Sequence, residues 1–216
     1  MPVFIDPAAN RVALINLKAM FSTFRAHPAY QLVTPAQAVR FVLRRSMLGK
    51  RPPMLMIVRN PYERLVSCFN DKFRKIPAER SGWQDIHLVL FPQLGLAPDD
   101  ADEVVRERLL GTGFAEFIEM LPKAYRTDAH TRPQSDLLQK FPGIDPRWWL
   151  KRISLARMEK LDAVELRQQW GIDVAIRQNF TGRSGNYTEY FTPRCFAIAN
   201  KLYALDFELF GYPVQE

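Results

Sequence analysis

Arg59, Arg64 and Ser67 are the residues of this sequence best suited by type and spacing to hold an anion. A guanidinium fork beside a hydroxyl donor suits a phosphate in particular. All three lie in the segment from Val58 to Phe73. The apolar run Met54 to Val58 before it predicts a short interior strand. Asn60 can then cap a helix, Pro61 has the fixed φ favoured at a first helical position, and Glu63 completes a capping box. On that helix Tyr62, Leu65 or Val66, Phe69 and Phe73 recur at core spacing, whereas Arg64 and Ser67, three apart, share another and polar face. The spacing therefore allows Arg59, Arg64 and Ser67 to converge on one anion where strand meets helix.

A second cation follows a second strand. Val12, Ala13, Leu14 and Ile15 form an apolar run between Arg11 and Asn16, suited to a buried parallel strand that leads into Lys18. Thr34-Pro35-Ala36-Gln37 is another capping box, opening a helix carried by Val39, Phe41, Val42, Leu43 and Met47 to about Gly49. The order strand, helix, strand, helix predicts a βαβ unit with ligands beyond the carboxyl ends of the strands, the zone of Lys18 and Arg59. Taken alone, a lysine after a strand is an exposed charge; paired with the Arg59 segment it becomes a candidate phosphate ligand.

The pattern Arg-x-Pro-x-x-Arg-x-x-Ser, followed by an aromatic, a lysine and Phe73, resembles the 3′-phosphate-binding segment of carbohydrate sulfotransferases, which use 3′-phosphoadenosine 5′-phosphosulfate (PAPS) as donor. Asn60 stands where that family usually has Asp, and both residues cap helices. Lys18-Ala19-Met20-Phe21-Ser22-Thr23 resembles the family's 5′-phosphosulfate loop. Leu17 replaces the usual Pro, and Met20 and Phe21 are bulkier than the family's small residues. The resemblance implies cofactor contacts from Lys18, Ser22, Thr23, Arg59, Arg64 and Ser67. A helix N-terminus would supply N–H groups for the 5′-phosphate, and Lys18 would neutralise charge on the departing oxygen. His130-Thr131-Arg132-Pro133-Gln134 resembles the family's His-x-x-Pro-Gln element and makes His130 the candidate catalytic base. Leu155 to Asp162 resembles the acidic element that follows, in which Glu159 could orient a base or the cofactor. Asn179 to Tyr190 resembles the loop before the family's last helix, and there Arg183 would contribute to the cofactor phosphates. The likeness runs from about Arg11 to Tyr212, with the middle unmatched. It implies a three-layer, P-loop-like α/β sulfotransferase fold with a central parallel sheet flanked by helices. The implied reaction passes a sulfuryl group from PAPS to a hydroxyl of a carbohydrate or glycolipid, with no metal required.

The remaining chain sets the frame. Residues 76–102, rich in Pro, Gly and Asp around Trp83, His87 and Phe91, read as an excursion with little regular structure. Helical spacing returns from Val104 to Leu121, broken near Gly111-Thr112-Gly113. Ile153 to Met158 predicts a third strand, Asp162 caps a helix to Trp170, and Thr192-Pro193 opens the last helix. Trp148 and Trp149 offer flat faces to a sugar, or anchor a loop. His27 and His87 carry no motif and read as structural or solvent-facing. Cys68 and Cys195 fall in separate predicted helices as free thiols, and with three histidines they give no metal-site spacing.

At 216 residues, with 47% hydrophobic and 12% aromatic content, the chain suits one globular domain, 1–216, rather than a disordered protein. A formal charge of +7 calls for anionic ligands. No nucleic-acid-binding signature is visible, so no nucleic-acid partner is expected. The absence of a Gly-x-x-x-x-Gly-Lys-Ser/Thr run disfavours ATP. No apolar run is long enough to span a bilayer and the first residues lack a signal-peptide pattern, so the expected setting is cytoplasmic, without a transmembrane segment. Two other readings stay open: a noncatalytic PAPS- or nucleotide-binding protein, and a basic nucleic-acid-binding module.

Overall fold

The computed structural model describes residues 2–77, 79, 85–139, 145–173 and 186–216. In chain order the elements begin with β1 (Val3–Asp6), β2 (Arg11–Ile15), α1 (Phe21–Ala26), β3 (Gln31–Val33), α2 (Pro35–Met47), β4 (Met54–Val58) and α3 (Pro61–Lys72). There follow α4 (Asp85–Leu94), α5 (Asp102–Gly111), α6 (Phe114–Ala124), α7 (Asp136–Gln139), α8 (Pro146–Leu150) and β5 (Ser154–Arg157). A 3-10 turn (Met158–Lys160) leads to α9 (Ala163–Trp170), and a second (Tyr187–Tyr190) to α10 (Pro193–Leu202) and α11 (Ala204–Phe210). They group into two compact units, residues 1–60 with 134–182 and residues 61–133 with 183–216.

The first unit holds one five-stranded sheet in the order β3-β1-β2-β4-β5. The class is α/β, as expected, but the sheet is mixed rather than parallel throughout. β2, β4 and β5 run parallel, while β1 pairs antiparallel with both β2 and β3. β2 and β4 are buried along almost their whole length, which is why their sequences are apolar without alternation. One face packs Phe4, Ala13, Ile15, Leu55 and Ile57 against Phe24, Tyr30, Leu166 and Trp170. Tyr30 donates to the Trp170 carbonyl at 2.8 Å, tying down the end of α9. Its burial pushes the phenol up to about 12, so it remains a donor at any physiological pH. The Thr34–Gln37 capping box is present at the start of α2. Of the apolar residues expected to anchor that helix, Val39, Phe41 and Val42 are half-buried beside the buried Ala38, but Leu43 and Met47 face solvent.

The second unit is helical. α3 lies among α6 and the α10–α11 region, with Tyr62, Leu65, Phe69 and Phe73 in its core. Phe69, Phe73, Phe114 and Phe117 form one ring cluster, and Tyr62, Phe191, Phe196 and Phe207 another. Arg64, Ser67 and Lys72 on the polar face of α3 are buried too. Part of the segment read as an excursion is helical: α4 continues through Pro92 and packs against α5 and α6. The break at Gly111-Thr112-Gly113 separates α5 from α6 as expected, and the final helix divides at Tyr203. Cys68 and Cys195 are buried free thiols.

Candidate active site

In the first unit the chemistry gathers at the carboxyl ends of adjacent parallel strands. β2 ends at Ile15, opposite Ile57 of β4, and Val58 pairs with Arg157 of β5. Loops leaving those ends carry Lys18, Arg59 and Glu159. Lys18 and Met20 both have positive φ, 68° and 62°, unusual for residues with a Cβ. Leu17 and Ala19 do not, so left-handed residues alternate with residues of negative φ. Where right- and left-handed residues alternate, successive N–H groups can turn toward one side and line an anion-binding concavity. Ala19 is buried and donates to the Asn16 carbonyl at 3.0 Å, which closes the turn. Met20 and Phe21 pack against the core, Phe21 with its ring 5.8 Å from that of Phe4, so their bulk lies on the core side. Ser22 and Thr23 follow in the half-buried first turn of α1.

Asn16, which the sequence reading passes over, stands at the end of β2 only 1% exposed, with both amide atoms lacking a hydrogen-bond partner. Each such group costs about 1 to 3 kcal/mol. This unpaired donor and acceptor lie two residues before Lys18, at the carboxyl end of a parallel strand, the position at which open α/β sheets bind ligands. The only hint in the sequence is a carboxamide ending an apolar run.

Arg59 is held from both sides by one residue. Its N–H donates to Gln134 Oε1 at 3.0 Å, and Gln134 Nε2 donates to its carbonyl at 2.8 Å. Gln134 is fully buried, so this pair behaves like a rung of sheet added beyond β4. The glutamine of the His-x-x-Pro-Gln element thus fixes the backbone that presents Arg59. Glu159 Oε1 accepts the Asn60 N–H at 2.6 Å, the donor that a capping box would give to Glu63. Glu159 thus holds the backbone N–H of Asn60 at the end of the β4 loop.

In the second unit His130 is oriented by Asp128. The Asp128 Oδ1 accepts the His130 N–H at 2.6 Å and lies 2.9 Å from Nδ1. Burial pushes the Asp128 carboxyl up, but the donors and charge of His130 and the Lys72 ammonium outweigh it and hold the group below the ordinary carboxylate range. An ionised carboxylate only accepts, so Nδ1 carries the proton and Nε2 keeps the lone pair required of a base. The loop bearing this pair is fastened by Thr131, whose hydroxyl donates to the Tyr125 and Asp128 carbonyls, and by Tyr203, whose phenol donates to the Thr131 carbonyl. Arg64, 1% exposed, donates from Nη2 to the Ala129 carbonyl at 3.3 Å, so this anion-binding candidate also braces the His130 loop. Ser67 lies one turn further along α3, at the margin of burial.

The other expected residues fall as follows. His87 is buried, not solvent-facing, with Nε2 2.8 Å from the Lys72 carbonyl. His27 lies 3.1 Å from the Gly171 carbonyl, a structural contact. Trp148 is covered by the Arg152 guanidinium, 3.6 Å from its ring centroid. Arg183 lies outside the described residues. No group of three His, Cys, Asp or Glu side chains is placed to hold a metal among the described residues.

Two of these groups make stability fall in acid. Burial lowers the His87 pKa more than the neighbouring carbonyl and Asp128 raise it, while Lys72 and His130 add to the lowering. The folded state therefore binds a proton less readily than the unfolded chain, and stability is lost as pH falls through the ordinary imidazole range. The depressed Asp128 acts in the same direction at lower pH, its contribution disappearing as pH falls through its folded pKa. The melting temperature should fall between about pH 7 and pH 5, and His87→Gln should flatten that slope. An unchanged slope in scanning calorimetry would assign the acid sensitivity elsewhere.

The sulfotransferase family model matches residues 35–213, and the chain belongs to that family. Fold and family together define a sulfuryl-transferring enzyme class. The matched region includes Arg59, Arg64, Ser67 and His130, whereas the Lys18 loop precedes it. No curated protein and no solved structure matches the chain.

Proposed function

We propose that this protein transfers a sulfuryl group from PAPS to a hydroxyl of a carbohydrate or glycolipid, leaving adenosine 3′,5′-bisphosphate. The observation that carries the reading is the pairing of the Lys18 loop and the clamped Arg59 at the ends of neighbouring parallel strands, beside the unpaired amide of Asn16. These residues fit a phosphorylated nucleotide: the alternating backbone and Lys18 suit its 5′-phosphosulfate, with Ser22 and Thr23 as hydroxyl donors. Arg59, Arg64 and Ser67 suit its 3′-phosphate. His130 takes the acceptor's hydroxyl proton on Nε2 as the acceptor oxygen attacks sulfur in line. The bond from sulfur to the bridging phosphate oxygen breaks, and Lys18 meets the charge left on that oxygen. Positioning and charge stabilisation supply most of the rate.

Calorimetry with adenosine 3′,5′-bisphosphate and AMP tests the donor. The bisphosphate should bind much more tightly, and Arg59→Ala should remove most of the difference, costing about 2 to 5 kcal/mol if the charged contact is desolvated. Equal affinity of the parent protein for both nucleotides would overturn the PAPS reading. A higher affinity for oligonucleotides would support the nucleic-acid-binding alternative.

A further inference from the structure

α2 divides its apolar residues between two sides: Ala38 is buried and Val39, Phe41 and Val42 are half-buried, whereas Leu43 and Met47 face solvent. Its inner side is held by Ala38, by Phe41 under the Arg45 guanidinium, and by Arg45 donating to the Pro7 carbonyl at 2.8 Å. Ala36, Arg40, Leu43 and Met47 recur at the i, i+4, i+7, i+11 spacing of one stripe and all are exposed, Leu43 by 58% and Met47 by 88%. Leu48 at the C-cap and Leu32 just before the helix are also exposed, by 62% and 52%. Arg40 lies within the stripe, Arg44 flanks it, and Lys50 and Arg51 follow it, all four exposed. No ion pair is recorded for these four among the described residues. Nor is an acidic side chain near in sequence, because none occurs between Asp6 and Glu63.

A surface that joins exposed leucine and methionine to arginine and lysine, on a stretch of sequence without carboxylates, selects its partner by charge. A second copy docking through the same face would bring arginine toward arginine. A nucleic-acid backbone would leave Leu43 and Met47 without a partner. An anionic bilayer supplies both apolar interior and phosphate, and a basic amphipathic helix lies in such an interface with its cations among the headgroups. At 13 residues, α2 is about 20 Å long, too short to cross a membrane. No helix among the described residues is long and apolar enough to do so.

We infer that the outer stripe of α2, with Leu32 and Leu48, is a peripheral docking surface for anionic phospholipid bilayers. The inference stands apart from the donor and acceptor assignments, since vesicle binding is measured without catalysis. Were the acceptor a glycolipid, the same surface would hold the enzyme where such headgroups are displayed.

The full-length protein should co-sediment with vesicles of phosphatidylcholine containing about 30 mol % phosphatidylglycerol, and not with phosphatidylcholine alone. The double variant Leu43→Ser, Met47→Ser keeps the net charge and alters only exposed positions, so it should fold normally while its partition falls about tenfold or more. In a Met47→Trp variant, tryptophan emission should shift to the blue on adding the anionic vesicles. Failure of the parent protein to co-sediment would overturn the inference. So would undiminished binding by the double serine variant, which would assign the attraction to net charge alone. Self-association of the parent in sedimentation equilibrium, lost in the double variant, would overturn it in favour of a homotypic interface.

Discussion

His130→Ala should lower sulfuryl transfer by about a hundred- to ten-thousand-fold, the contribution of a positioned general base. Bisphosphate affinity and thermal stability should change little. The His130 ring is partly exposed, and Asp128 retains the His130 N–H as a donor after the ring is removed. The carboxylate makes a companion experiment possible. Asp128→Asn offers an amide that can either donate to Nδ1 or accept from it, so the tautomer is no longer fixed. The rate should fall by about a hundredfold or more with the imidazole still present. These measurements need an acceptor, found by screening glycans and glycolipids with labelled PAPS. Near-parental transfer by His130→Ala would demote His130 to a positioning residue. Near-parental transfer by Asp128→Asn alone would leave the base intact and remove its orienter.

Lys18→Ala should separate chemistry from binding. If the ammonium meets charge that appears only as the sulfur–oxygen bond breaks, turnover should drop by about a hundred- to a thousandfold. Affinity for adenosine 3′,5′-bisphosphate should fall much less, since the loop's backbone N–H groups remain. The left-handed φ at position 18 adds a control: Lys18→Gly removes the same charge while tolerating that conformation better than alanine. Equal turnover losses in the two variants would assign the effect to the charge. A much milder loss in Lys18→Gly would assign part of it to loop geometry, and near-normal turnover in both would end the proposed role.

What could be read in the sequence was local. The apolar runs of β2 and β4, the Thr34–Gln37 box and the Asp162 cap before α9 specify their elements from adjacent residues, and each stands where the pattern placed it. The antiparallel extension was not legible: β1 has four residues and β3 three, too few to show a period, and the hairpin of β1 with β2 and the pairing of β1 with β3 are not marked by any apolar alternation. α4 was hidden because its apolar residues are nearly continuous and Pro92 reads as a breaker. α3 stands where its cap and core spacing placed it, but the surroundings of its polar side were not legible. Helical spacing identifies a second face without saying what covers it, and here the Ala129 carbonyl receives Arg64.

The candidate site divides in the same way. Lys18, Arg59 and His130 were visible as cations and a base in suggestive company. The groups that set their poses were not. Asp128 precedes the quoted histidine element by two residues, with nothing in its spacing to mark it as an orienter. The glutamine of that element was noticed, yet its task depends on a partner 75 positions away. α2 was misread for the opposite reason: its period is genuine, but amphipathicity does not reveal whether the apolar stripe meets protein or something outside it.

The double hydrogen bond from Gln134 also sets an order of events in folding. β4 and the start of α3 are local structures that form as soon as their residues collapse together. Arg59, however, acquires its backbone partners only after 75 further residues have returned to the sheet edge, and Asn60 waits for Glu159, 99 residues away. Closing loops of that length follows nucleation of the helices and pairing of the nearer strands. During synthesis, the strand that will present Arg59 is made long before anything can aim it. The backbone pose of Arg59 therefore depends on chain as far as Glu159, and a partly folded intermediate would carry the arginine without that pose.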